Sequence, residues 1–148
     1  AGEPFALRID MAKALAEAAR IAPGGLAYQR FDRDGAITRV PADPARWGDA
    51  VIMRKEIPTS YHLAVVHDDA AQGVTHVVRG RDLEPATDLH VLLQCLLRLP
   101  SPLYHHHDLI RDEAGEKLAK SRVSTPLAQL REEGADPAAL RAMLGFEA

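Results

Sequence analysis

The sequence predicts an α/β fold. Two runs, Tyr61–His67 ("YHLAVVH") and Val74–Gly80 ("VTHVVRG"), have nearly continuous apolar centres, the pattern of strands covered on both faces. They are followed by "EPATDLHVLLQCLLRL". Its Leu89, Leu92, Leu93, Leu96 and Leu97 recur at helical spacing, so they should share one face. Strand-like runs next to a long amphipathic helix are the elements of a layered sheet-and-helix domain.

Element by element, "MAKALAEAARIA" (Met11 to Ala22) is alanine-rich and helical, and "PGG" from Pro23 stops it. "AYQRF" reads as a short strand with "DRDG" as its turn. "VPADPARWGDA" reads as a loop leading into the strand-like "AVIMRK", and Pro58 interrupts the pattern. "DDAAQG" links the two apolar runs as a turn or a short helical piece, with Asp68 and Asp69 capping the turn. Pro100 ends the long helix. In the tail, Thr125 is placed to cap a helix with Pro126 at its first position and Gly134 at its end. Asp136 and Pro137 repeat the signal for a second helix closed by Gly145.

The bulk properties narrow the class. The 148 residues fit one domain, 47% hydrophobic and 26% charged, as in ordinary globular proteins. A net charge of -3 gives no global attraction for nucleic acid. Cys95 is the single cysteine, which excludes an internal disulfide and a multi-cysteine zinc site; within "LHVLLQCLLRL" it reads as a small buried hydrophobe. No apolar run is long enough for a membrane span. The start, "AGEPFALRID", has neither a methionine nor the features of a signal peptide, so a cytoplasmic protein, processed or excised from a longer one, is expected.

Three groups of residues carry chemistry. Lys117 and Lys120 lie in "GEKLAKSR", where Gly115 supplies backbone freedom and Ser121 a hydroxyl. The segment is not a P-loop, because the glycine-rich run and the GK[ST] are missing. From charge alone it reads as a solvated loop or as a phosphate holder. Tyr61 and Arg79 each lie at an end of an expected strand, where ligands of open α/β sheets gather. Arg79 suits a two-pronged grip on a carboxylate, and Tyr61 offers a hydroxyl and a ring wall; packing or ion pairing is the plainer role for both. "YHHHD" (Tyr104 to Asp108) invites a metal. Three consecutive histidines cannot point one way from a strand, and no zinc-type spacing supports them. They read as a hydrogen-bonding lining, while His62, His67, His76 and His90 read as structural or exposed.

Together, "FALRIDMAKAL", "GDAVIMRKEIPTSYHLAVVHDDAAQGVTHVVRGRDLEPAT", "LLRLPSPLYHHH" and "GEKLAKS" resemble, in order, the later half of the catalytic core of the glutamyl-Q tRNA(Asp) synthetase family. That family is a short paralogue of glutamyl-tRNA synthetase within the class I aminoacyl-tRNA synthetases. The resemblance implies that 1–148 is the C-terminal part of a Rossmann-like catalytic domain, with a helical tail carrying the signature loop. Residues 1–60 would form a connecting region, 61–123 the sheet, long helix and signature loop, and 124–148 short helices. It implies ATP-dependent activation of L-glutamate and transfer of the glutamyl group to queuosine in tRNA(Asp), by an enzyme monomeric when complete. Tyr61 and Arg79 match the family's glutamate-binding residues. Lys117, Leu118, Ala119, Lys120 and Ser121 match its KMSKS loop, with Lys117 and Lys120 as the catalytic cations on ATP and Mg2+ arriving with the nucleotide.

Two departures stand out. Leu118 and Ala119 replace the methionine and serine of the signature, which keeps both lysines and loses one hydroxyl. No HIGH-like motif occurs in the 148 residues, and the family's zinc segment is expected only upstream. The isolated chain is therefore expected to be inactive in adenylation. Competing readings are a fragment of a tRNA-charging glutamyl-tRNA synthetase and a non-catalytic tRNA-binding relic.

Overall fold

A computed structural model describes residues 5–111, 115 and 125–146. The chain divides into two compact units, Ala1–His107 and Asp108–Ala148.

The first unit opens with β1 (Leu7–Arg8) and α1 (Met11–Ile21). Asp10 caps α1 by accepting the Lys13 N–H, as a short acceptor ahead of an alanine-rich run should. A hairpin follows, β2 (Ala27–Phe31) and β3 (Ile37–Pro41). Its turn is held by Asp32, whose carboxylate accepts the N–H groups of Asp34 and Ala36. Part of the expected loop "VPADPARWGDA" is thus strand β3, and Pro44–Trp47 form a 3-10 turn. β4 (Val51–Met53) pairs antiparallel with β1.

The run Tyr61–His67 is not a strand. It is the front of α2 (Tyr61–Ala71), so Asp68 and Asp69 lie in its last turns and do not cap a turn after a strand. The side chain of Ser60 accepts the Leu63 N–H and starts the helix. Val66 is the one buried residue of α2, and a short continuous apolar run without a clear period reads equally as strand or helix. β5 (His76–Gly80) forms as expected, then α3 (Ala86–Leu97). "LYHHH" is a further strand, β6 (Leu103–His107).

The main sheet has the order β3-β2-β6-β5. β6 lies parallel to both β2 and β5. α3 lies between this sheet and the pair α1 and α2. Leu89, Leu92 and Leu93 pack with Met11, Ala14, Ala18 and Val66 on one side, and Val91 packs with Tyr28 and Tyr104 on the other. The opposite sheet face is not covered as expected: Val78 on β5 is 62% exposed and Ile37 on β3 is 55% exposed.

The second unit holds α4 (Leu127–Glu132) and α5 (Pro137–Met143). α4 begins one residue later than expected, with Pro126 at the N-cap and no side-chain cap from Thr125. α5 has the expected Asp136 cap on the Ala138 N–H and Pro137 in its first turn. Gly134 and Gly145 close the two helices at φ values of +82° and +76°, a left-handed backbone that glycine adopts without strain. No helix among the described residues is long and apolar enough to cross a membrane.

Candidate active site

Strand pairing builds the site. Arg79 on β5 and His106 on β6 are partners in the parallel ladder, as are Val77 and Tyr104. Alternation along the strand then sends Tyr104 and His106 under α3, where they are 2% and 6% exposed. His105 falls on the opposite face, where its Nδ1 lies 2.9 Å from the Phe31 carbonyl. The three histidines accordingly do not converge, and no metal-holding group of His, Cys, Asp or Glu exists among the described residues.

Arg79 is held from three directions. Its Nε donates to His106 Nε2 at 3.3 Å, one terminal nitrogen to His90 Nδ1 at 3.1 Å, and the other to Thr87 Oγ1 at 2.6 Å. Its guanidinium carbon lies 5.1 Å from the centre of the Tyr104 ring. A guanidinium has five N–H donors and no acceptor, so two donors remain beyond these bonds. All three partners are neutral at pH 7. No ion pair to Arg79 occurs among the described residues.

Tyr61 opens α2 and is 47% exposed. Its ring meets His90 edge-on at 5.9 Å and His62 at 5.5 Å. The structure thus brings Tyr61 and Arg79 to the same imidazole, although Tyr61 comes from a helix and not a strand end. Tyr61 and His62 also line a cavity of about 190 Å³ together with Trp47, Arg8 and Arg54. A larger cleft of about 450 Å³ contains the 2.6 Å Arg46–Asp88 ion pair and neither Tyr61 nor Arg79.

Burial and the adjacent Arg79 cation hold the imidazoles neutral. His90 titrates at about 3 and His106 at about 4, burial being the larger cause in each. His62 is shifted down for the same two reasons. Burial also raises the Asp69 carboxyl, against the pull of Arg79.

The sequence reading missed Thr87, His90 and His106 as one network. The signal was present: Thr87, His90 and Gln94 recur every three or four residues within the leucine-rich α3, a polar stripe on a buried helix. Gln94 continues it by donating to the Tyr104 hydroxyl at 2.9 Å. Lys117, Leu118, Ala119, Lys120 and Ser121 lie outside the described residues. Only Gly115 of that segment is described, and its carbonyl accepts from Arg111 at 2.8 Å.

The family model for tRNA synthetases class I (E and Q), catalytic domain, matches residues 27–146. The chain belongs to this family, and its mixed α/β architecture is the class I synthetase catalytic-domain fold. Among curated relatives, the glutamyl-Q tRNA(Asp) synthetase of Rhodobacter capsulatus is 60% identical over 99 residues, 67% of this chain and 36% of the relative. That of Pseudomonas syringae pv. tomato is 50% identical over 96 residues, 65% of this chain and 32% of the relative. The chain therefore spans about a third of the length of these relatives. A solved glutamate tRNA ligase from Elizabethkingia meningosepticum, in complex with its amino acid, aligns at TM-score 0.59 and 27% identity, over 80% of this chain and 26% of that one.

Proposed function

We propose that this chain supplies the amino-acid clamp and the ATP loop of an enzyme that activates L-glutamate and passes the glutamyl group to queuosine in tRNA(Asp). The observation that carries the reading is Arg79: a half-buried cation fixed by three neutral acceptors, with two donors to spare and no carboxylate partner among the described residues. A cation held in place but not neutralised suits an anionic ligand. Glutamate supplies a carboxylate, and the relatives' names supply the rest of the assignment.

In the reaction, an oxygen of the glutamate α-carboxylate attacks the α-phosphorus of ATP. The bond from that phosphorus to pyrophosphate breaks, leaving glutamyl-adenylate. Arg79 and Tyr61 hold and orient glutamate, so that binding replaces a chance encounter. Lys117 and Lys120 take the charge that builds on the phosphates. Mg2+ enters with ATP as the counterion of its phosphates.

The test is NMR titration of the 148-residue chain with L-glutamate. Saturable shifts at Arg79 and Tyr61, lost in Arg79→Gln, are expected; wild-type shifts that persist in that variant overturn the clamp. On the complete enzyme, labelled glutamate should enter the anticodon loop of tRNA(Asp). Labelling of a tRNA(Glu) 3′ end in its place would make the chain part of a charging synthetase.

A further inference from the structure

We propose that His90 is a positioning residue, which sets Arg79 for a carboxylate and makes the site prefer L-glutamate to L-glutamine. The inference rests on the reading of Arg79 as the glutamate clamp. His90 is 1% exposed and central to the network. Arg79 faces it from β5 at 3.1 Å, and His62 faces it from α2 with Nδ1 3.0 Å from His90 Nε2. Tyr61 lies edge-on to it from the same helix. His106, on β6, adds to the electrostatic pressure against a charge on the ring.

These contacts leave one proton arrangement. A guanidinium only donates, so His90 Nδ1 must present a lone pair to it. The neutral ring then carries its hydrogen on Nε2 and donates it to His62 Nδ1. His62 in turn keeps its hydrogen on Nε2. His106 obeys the same rule, because its Nε2 receives Arg79, and its Nδ1 carries the hydrogen. Thr87 accepts from Arg79 through the same oxygen that lies 3.1 Å from His106 Nε2, so the Arg79 Nε–H and the Thr87 hydroxyl share that nitrogen's single lone pair. Every bond from the guanidinium runs outward to a neutral acceptor, so it is fixed without being discharged. A ligand carboxylate meets the two free donors with two acceptors and a countercharge. A carboxamide offers one acceptor, no charge, and an NH2 that faces other donors. The preference therefore depends on the neutrality and fixed tautomer of His90.

The experiment compares the wild-type chain with His90→Asn and His90→Leu. Asparagine retains an acceptor near the position of Nδ1, and leucine removes both ring nitrogens. Wild type is expected to bind L-glutamate in preference to L-glutamine. His90→Leu should weaken glutamate binding about tenfold or more and leave glutamine binding nearly unchanged, and His90→Asn should recover most of the loss. Equal weakening of both ligands, with circular dichroism unchanged, overturns the proposal. So does a 15N spectrum of the wild-type ring showing the hydrogen on Nδ1. If wild type binds neither amino acid, the glutamate reading fails. The resonance of the Arg79 terminal N–H that faces His90 then decides the positioning role separately: it should be protected from exchange in wild type and His90→Asn and lost in His90→Leu. Equal protection in all three refutes it. Should His90→Leu not fold, the ring tautomer and His90→Asn still decide.

Discussion

Arg79, His90 and His106 form a unit whose stability depends on pH. Free imidazoles take up protons below about pH 6.5, whereas the folded rings of His90 and His106 do so only at about 3 and about 4. Between those limits the unfolded chain holds more protons. Stability therefore falls as pH falls, by up to about 1.4 kcal/mol per pH unit for each ring. Asp69 and Asp88, both raised by burial, work the other way at the acid end of the window. Urea unfolding at pH 7.5 and pH 5 should show the loss, and His90→Asn should flatten the slope. Tyr61 gives the contrasting case. Its ring is half exposed, so Tyr61→Phe should leave the melting temperature unchanged while lowering glutamate affinity about tenfold. A melting shift with unchanged affinity would assign Tyr61 to packing.

At the scale of elements, α2 shows what the sequence made legible and what it did not. The run "YHLAVVH" has strand composition, and only Ser60 ahead of it and the alanines behind it point to a helix. The Ser60 cap and the packing of Val66 on α3 go with the helix, while the apolar run itself carries little period. Ser60→Ala should cost about 1 kcal/mol by removing the cap, read as a shift in the urea midpoint. α3 was legible because Leu89, Leu92 and Leu93 face the core, although Leu97, expected on the same face, is exposed; the same regularity hid Thr87 and His90. Tyr61 and Arg79, the proposed clamp, were singled out by the family pattern. Their shared partner was not, since only the β5–β6 register places His106 beside Arg79 and only packing of α2 on α3 places His62 beside His90. α3 ends on Arg98 in the left-handed region, at φ 54°. Arg98→Gly relieves that geometry and should raise stability by about 1 kcal/mol, seen as a higher melting temperature.

For the whole molecule, α3 is the common support of both layers. Leu89 and Leu92 are 0% exposed, and replacing either by alanine should cost about 2–5 kcal/mol. That is a large fraction of the roughly 5–15 kcal/mol available to an ordinary domain, so Leu92→Ala should broaden or abolish cooperative thermal unfolding. The division of labour proposed for the complete enzyme also belongs at this scale. The 148 residues contain Arg79, Tyr61 and the lysine loop but no HIGH-type sequence. Glutamate-dependent ATP–pyrophosphate exchange by this chain alone should be absent; exchange at the rate of the complete enzyme would overturn that division.

The parallel pairing of β2 with β6 joins Gln29 to Leu103 and Arg30 to Tyr104. The intervening chain contains α2, β5 and α3, so this pairing is unavailable to a nascent polypeptide until all of it has left the ribosome. The β2–β3 hairpin can close early, from neighbours in sequence. The sheet that carries Arg79 must wait, because bringing such distant residues together costs loop entropy before any contact rewards it. Refolding should accordingly show hairpin and helix signals ahead of Tyr104 burial, with assembly of the Arg79 network among the last events.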